Sequence, residues 1–407
     1  MNRSLPGFGG VWLHVRRATW VDVLVLLGIA ALVWVGAELA VRGPSAITGP
    51  TITLSPTALP YYAVLSTARM AAAYALSLVF TLIYGYAASR SRRAERLMLP
   101  ILDVLQSVPI LSFLPVVLLG LAAIIPEAAA TELAAVVLIF TSQAWNMTFG
   151  WYQSLTTIPK ELREASGIFR FNSWFRFRYL ELPFGMISLM WNSMMSWAGG
   201  WFFVMAAEMF RVGERDFRLP GLGSYLQTAA GEGNLRAILW GLGTLILVIV
   251  ALDQLLWRPL LVWAERFKLQ MVGGDVEATS WFHDLLSRSV LLEFVRRVGH
   301  TLGDRLDGWT VRRFPPAAVT VESTGVSVVG MTVSAVFIVA LIVGGLGAAR
   351  MVSHVPGPQW AEIGLGLLAT SARVAVALAI ALAWTLPLGV ALGNNRRLAN
   401  WLQPLLQ

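Results

Sequence analysis

Few residues in this 407-residue chain could do covalent chemistry. There is no Cys, which removes disulfides, thiolate nucleophiles and thiolate metal sites. The four His (His14, His283, His300 and His354) share no helix-face spacing, so a His-built metal site is not expected. No nucleophile–base–acid set and no paired carboxylates stand out, which argues against an intramembrane enzyme, and no cofactor is expected. Pro159 and Phe267, not Gly, precede the only two lysines, Lys160 and Lys268, so the chain has no phosphate-cradling Gly-Lys-Ser/Thr loop. The remaining polar chemistry is charge in two settings. One is Arg69 and Arg373, each set inside an apolar run, with Asp103, Gln106 and Ser107 opening another. The second is a charged, aromatic stretch, PKELREASGIFRFNSWFRFRYLELP, from Pro159 to Pro183.

That stretch carries Lys160, Arg163, Arg170, Arg176 and Arg178 against Glu161, Glu164 and Glu181, with six bulky aromatics. Pro159 suits the first turn of a helix, where a missing N–H costs nothing. The pattern predicts one helix over 160–170, with Leu162, Ala165 and Phe169 on one side. A turn at 171–173 follows, with Asn172 or Ser173 as N-cap. A second helix, 174–182, is expected to end before Pro183. The small residues Ala165, Ser166 and Gly167 would let another backbone approach closely.

The surrounding elements are membrane-like. Apolar residues make up 57% and charged residues 13%, where a soluble domain carries about 25% charged. Seventeen Trp suit interfacial belts. A span needs roughly 20 apolar residues, and runs of that kind lie near 21–41, 62–88, 100–125, 131–151, 184–207, 235–257, 325–348 and 364–392, with another beginning after Trp401. The net charge of +8 is nearly all Arg and sits in loops beside these runs, which excludes nucleic acid as the natural partner and leaves membrane lipid. Basic clusters (Arg3, Arg16, Arg17; Arg90, Arg92, Arg93, Arg96; the 159–183 stretch; Arg258, Arg266, Lys268) fall on one side of the implied topology. That side, with the N-terminus, is expected to be cytoplasmic. The loop 208–234 is the exception, its arginines balanced by Glu208, Glu214 and Asp216. The N-terminal stretch lacks a small-residue cleavage site and reads as a tail, not a signal peptide. Residues 281–299 read as an amphipathic helix inside a cytoplasmic joining segment.

The chain also repeats itself. Residues 66–102 align without gaps on 370–406, 304 positions later, with 14 of 37 identical. Arg69 matches Arg373, Gly85 matches Gly389, Arg92-Arg93 match Arg396-Arg397 and Pro100 matches Pro404. Parallel duplication of this kind is common among transporters. It keeps orientation only if each copy has an even number of spans, and six per copy fits. The second copy breaks off at Gln407, so a truncated second half is expected. The expected domains are a tail and first span (1–60), a first transport domain (61–260), the joining segment (261–320) and the start of a second transport domain (321–407). The two arginines line an anion pathway, snorkel to headgroups, or pair with a neighbouring span. Asp103 and Gln106 are candidates for the inner pore mouth. Ala198-Gly199-Gly200 suits close helix packing.

EASGIFRFNSWFRFRYLELP resembles the EAA loop of ABC importer permeases. Glu164, Ala165, Leu180, Leu182 and Pro183 fall in register. Ser166 replaces the second Ala and Arg170 occupies the usual Gly position. The following run and LPGLGSYL at 219–226 resemble duplicated permeases for nitrate, sulfonate and related anions. The resemblance implies an all-α, polytopic type I importer permease fold in a bacterial or archaeal inner membrane, with one six-span half and a partial second half. It implies a dimer of separate ABC ATPase subunits and an extracytoplasmic substrate-binding protein as partners. Glu161, Glu164, Ala165, Ser166, Gly167, Arg170, Leu182 and Pro183 would form the ATPase-coupling loop, with Glu164 touching the ATPase and Ala165 and Gly167 allowing close seating. A secondary transporter or channel, independent of an ATPase, is the rival expectation.

Overall fold

The computed structural model describes residues 49–212, 215–267 and 328–394, with helical residues at 27–28, 30–31, 34–35, 38, 305 and 307–310. The expected amphipathic helix at 281–299 and the run after Trp401 lie outside the described residues, as does most of the first span. Two compact units form, Met1–Gly345 and Leu346–Gln407. The fold is all-α and polytopic. Apart from a two-residue hairpin, Arg211–Val212 against Arg215–Asp216, the described elements are helical.

In the first unit these are α1 (Leu59–Ser89), α2 (Arg92–Ser107), α3 (Ile110–Ala122), α4 (Glu127–Thr156), α5 (Lys160–Ile168), α6 (Ser173–Arg176), α7 (Leu182–Glu208), α8 (Leu222–Gly231), α9 (Leu235–Leu252) and α10 (Arg258–Glu265). Then come α11 (Val328–Ser353) and α12 (Gly357–Asn394). Among the described residues four helices are long and apolar enough to cross a membrane: Pro56–Ser89, Ala128–Thr156, Leu235–Glu265 and Gly357–Leu392. The helix α1, with 31 residues, is about 46 Å long at ~1.5 Å per residue, longer than a ~30 Å hydrocarbon core.

The expected single span at 100–125 is corrected to two helices. Val108, held extended by Pro109 (ψ 124°), breaks the run between α2 and α3. A second correction concerns Pro183. The loop's second helix does not stop before it. Residues Phe177–Glu181 widen into a π turn in which the Leu182 N–H reaches back to the Phe177 carbonyl, and the helix runs on as α7. A proline ring clashes with the carbonyl four residues back in a regular α-helix, and a wider turn relieves that clash. The same device recurs at Asp253–Trp257, two residues before Pro259, and carries α9 into α10. The span expected at 235–257 therefore extends to Glu265.

The core is built where α1 packs along α4 and α4 along α7. Trp151 of α4 is fully buried at this junction. A Cβ on Gly85 of α1 would lie 2.6 Å from its indole, and one on Gly185 of α7 would run into the opposite edge of the ring. The indole thus fills space that two missing side chains leave. Gly200 of α7 faces Gln143 and Met70 equally closely, whereas Gly199 faces open space, so only one glycine of that pair serves packing.

Candidate functional site

The 159–183 loop sits at one end of the bundle. Helix α5 starts at Lys160, with Pro159 at the N-cap position before it and Glu161 in its first turn, where a carboxylate suits the helix dipole. Its inner side is anchored. Leu162 packs on the cluster of Met147, Trp151, Leu155, Ile158 and Leu189, as do Phe177, Leu180 and Leu182. Arg163 donates from Nη2 to the Leu155 carbonyl at 2.8 Å, and the Ser166 hydroxyl, buried, donates to the Arg163 carbonyl. The outer side presents Glu161, Glu164, Gly167, Ile168 and Phe169, all exposed. Ala165 is half-buried, and a Cβ at Gly167 would meet nothing within 4 Å.

The helix ends at Ile168, two residues earlier than the sequence pattern implies, because Arg170 leaves the helical region with φ 50°. Phe171 N–H bonds to the Ser166 carbonyl at 3.0 Å and Arg170 N–H to the Gly167 carbonyl at 2.9 Å. This is a Schellman termination, whose left-handed residue is usually Gly. Arg170 makes the tight turn without the glycine that the resemblance leads one to expect. Asn172 then caps α6, its Oδ1 accepting from Phe175 N–H at 2.8 Å. At the loop's far end Arg90 Nη2 meets Glu181 Oε2 at 3.0 Å, and the Arg90 guanidinium lies over the Tyr86 ring. Burial pushes the Glu181 carboxyl above its ordinary range, outweighing the nearby charges of Arg90, Arg176 and Arg163.

A second cluster lies in α1, α4 and α7. Arg69 is 5% exposed and donates from Nε and Nη2 to the two oxygens of Glu132, each at 2.7 Å. Its Nη1 donates to Glu208 Oε1 and to the Pro220 carbonyl, each at 2.8 Å. A guanidinium has five N–H donors, so four are engaged. Glu208 is fully buried and also accepts from the Ser66 hydroxyl at 2.7 Å and Gly223 N–H at 2.8 Å. Arg69 is therefore paired with neighbouring helices. Glu208 does not balance the loop arginines as its position suggests. Arg211 and Arg218 instead share Asp216.

The remaining candidates are not drawn into this cluster. Asp103 and Gln106 are exposed at the end of α2 and hydrogen-bond to each other at 3.5 Å. Arg373 lies in the second unit, exposed on α12. Sequence reasoning missed Glu132 and the role of Glu208. Topology held the clue, since the start of span two, the start of span four and the end of span five all fall at the same end. Among the described residues no group of His, Cys, Asp and Glu could hold a metal ion.

Residues 77–256, a little under half of the chain, match the family model of the binding-protein-dependent transport system inner membrane component. The matched stretch contains the whole 159–183 loop, and it indicates a permease subunit of an ABC importer, multi-pass in the inner membrane. No curated protein matches the chain.

Proposed function

We propose that α5 is the contact through which a separate ATPase dimer drives this permease, that the loop-bearing end and the N-terminus face the cytoplasm, and that the cargo is a small anion such as nitrate or a sulfonate. One observation carries the first part. Helix α5 is fixed to the bundle by Leu162 and Arg163 while Glu161, Glu164, Gly167, Ile168 and Phe169 face outward. An exposed apolar pair beside an open glycine fits a cleft in a partner, and the rigid inner side can convey the partner's movement to α4 and α7. The anion reading rests on the arginine-dominated charge. Asp103 and Gln106, exposed where Val108–Pro109 interrupts the helix, are our candidates for the pathway on that side. Arg69 is a weaker candidate for touching cargo, because two carboxylates neutralise it.

Glu164→Lys and Gly167→Trp strike the outward face without touching a span. Both are expected to insert normally and to lose ATPase binding in co-purification. Wild-type binding in both would remove the loop assignment. Substrate movement that needs no ATPase would return the chain to the secondary-transporter reading.

A further inference from the structure

The 159–183 loop has an anchor that does not come from the helices it joins. Asp307, in the joining segment, lies against α6 and the π turn that follows it. Its Oδ1 accepts from Trp174 Nε1 at 2.8 Å and from Arg178 Nη1 at 2.5 Å, and its Oδ2 accepts from the Tyr179 hydroxyl at 2.6 Å. The carboxylate is 14% exposed. The Thr310 hydroxyl, on a buried residue, donates to the Asp307 carbonyl and closes the turn that presents it. Trp174 and Arg178 are four residues apart and Tyr179 is next, so three donors of different chemistry converge from one helical surface.

Only a carboxylate satisfies that geometry. It can accept at both oxygens, whereas an amide would turn an NH2 group toward a donor. Burial pushes the Asp307 carboxyl up, but the bonds from Tyr179, Trp174 and Arg178, with the Arg178 charge, outweigh it and hold the group below the ordinary range. Two polar ties elsewhere in the loop, Arg163 to the Leu155 carbonyl and Glu181 to Arg90, run instead to α4 and to the residue that ends α1.

We infer that the joining segment is strapped to the inner half of the coupling loop through Asp307, a positioning residue that links loop movement to the chain leading into α11. The linkage to transport rests on the reading of the loop as the ATPase contact, whereas the strap itself does not. Through the strap the joining segment shares the loop's movement by a charge-assisted contact.

Hydrogen exchange on the full chain in lipid nanodiscs tests this. Asp307→Asn should speed exchange at residues 173–181 roughly tenfold, with Asp307→Glu, which keeps both oxygens, falling between it and wild type. In the complex with the ATPase, adding ATP should change exchange at 305–310 in wild type and leave it unchanged in Asp307→Asn. Tyr179→Phe removes one donor and keeps the ring. It should give a smaller rise, and it decides alone if Asp307→Asn fails to fold. Wild-type exchange at 173–181 in these variants overturns the strap, whatever the ATPase does. Loss of ATPase response at the loop itself, with the strap's protection intact, overturns the coupling-loop reading and leaves the strap standing.

Discussion

Arg69 Nη1 meets Glu208 Oε1 at 2.8 Å, with side-chain exposures of 5% and 0%, and this pair joins α1 to the end of α7. The same guanidinium grips Glu132 with two further donors and the Pro220 carbonyl with another. Glu132 is 47% exposed, but removing Arg69 leaves the buried Glu208 carboxylate without its cation, and breaking a buried pair in this way typically costs about 3–5 kcal/mol. Arg69→Ala should therefore lower the thermal stability of the purified protein and its yield, and not merely its transport. Arg69→Lys should recover little, since a compact ammonium cannot reproduce a fork across two carboxylates. A variant that melts like wild type and loses only uptake would return Arg69 to the pathway.

Gly221 lies beside this set, and a Cβ there would run into the Glu208 carboxyl. Gly221→Ala should push Glu208 off Ser66, Gly223 and Arg69 and cost about 1–3 kcal/mol in thermal unfolding. Gly231→Ala, where a Cβ would meet nothing within 4 Å, is the control and should be close to neutral.

Arg170 holds φ 50° at the end of α5. A left-handed conformation costs a side-chain-bearing residue about 1–2 kcal/mol, and glycine largely escapes that cost. Glycine also loses more freedom on folding, which trims the gain. Arg170→Gly should stabilise the loop by about 0.5–1 kcal/mol, seen as slower exchange at the Phe171 and Asn172 amides.

The Asp307 contact also carries a pH signature. The folded carboxyl lies below its ordinary range, so the unfolded segment binds the proton more readily. The contact's contribution is then present above the ordinary Asp value of about 3.9 and lost as pH falls through the folded value. Protection at 173–181, corrected for intrinsic rates, should be flat from about pH 5 to 8 and fall only in strong acid.

The spans expected at 62–88, 131–151, 235–257 and 364–392 and the first loop helix were legible because run length and proline position are local signals. Pro159 and Asn172 mark the ends that they cap. The join at Pro183 was not legible, because a proline normally argues for a break and the π turn that absorbs it has no residue signature. Proline did break the run at 109, where Val108 went extended. The partners of Arg69 stand 63 and 139 residues away, beyond any pattern along the chain, though the cost of the arginine itself announced that partners were needed. Asp307 was overlooked because it lies apart from the amphipathic 281–299 stretch that drew the joining segment's reading.

Arg69 and Arg373 match at an offset of 304 residues in the sequence but sit in different surroundings, and that difference can be measured. Arg69 is enclosed by α4, α7 and the Pro220 loop. Arg373 is exposed on α12, and among the described residues of its own unit it pairs with no carboxylate. Gly85 and Gly389 divide the same way: the first faces the Trp151 indole, and a Cβ on the second would meet nothing within 4 Å. Equivalent substitutions should therefore have unequal effects. Arg373→Ala and Gly389→Ala should each shift the stability of the purified chain by no more than about 0.5 kcal/mol, while Arg69→Ala and Gly85→Ala should each cost several-fold more. The Gly85 change forces Trp151 to move in a packed interior, a strain worth about 1–3 kcal/mol. Equal costs at the matched positions, read from thermal melts of all four variants, would mean that α12 is enclosed in the same way as α1.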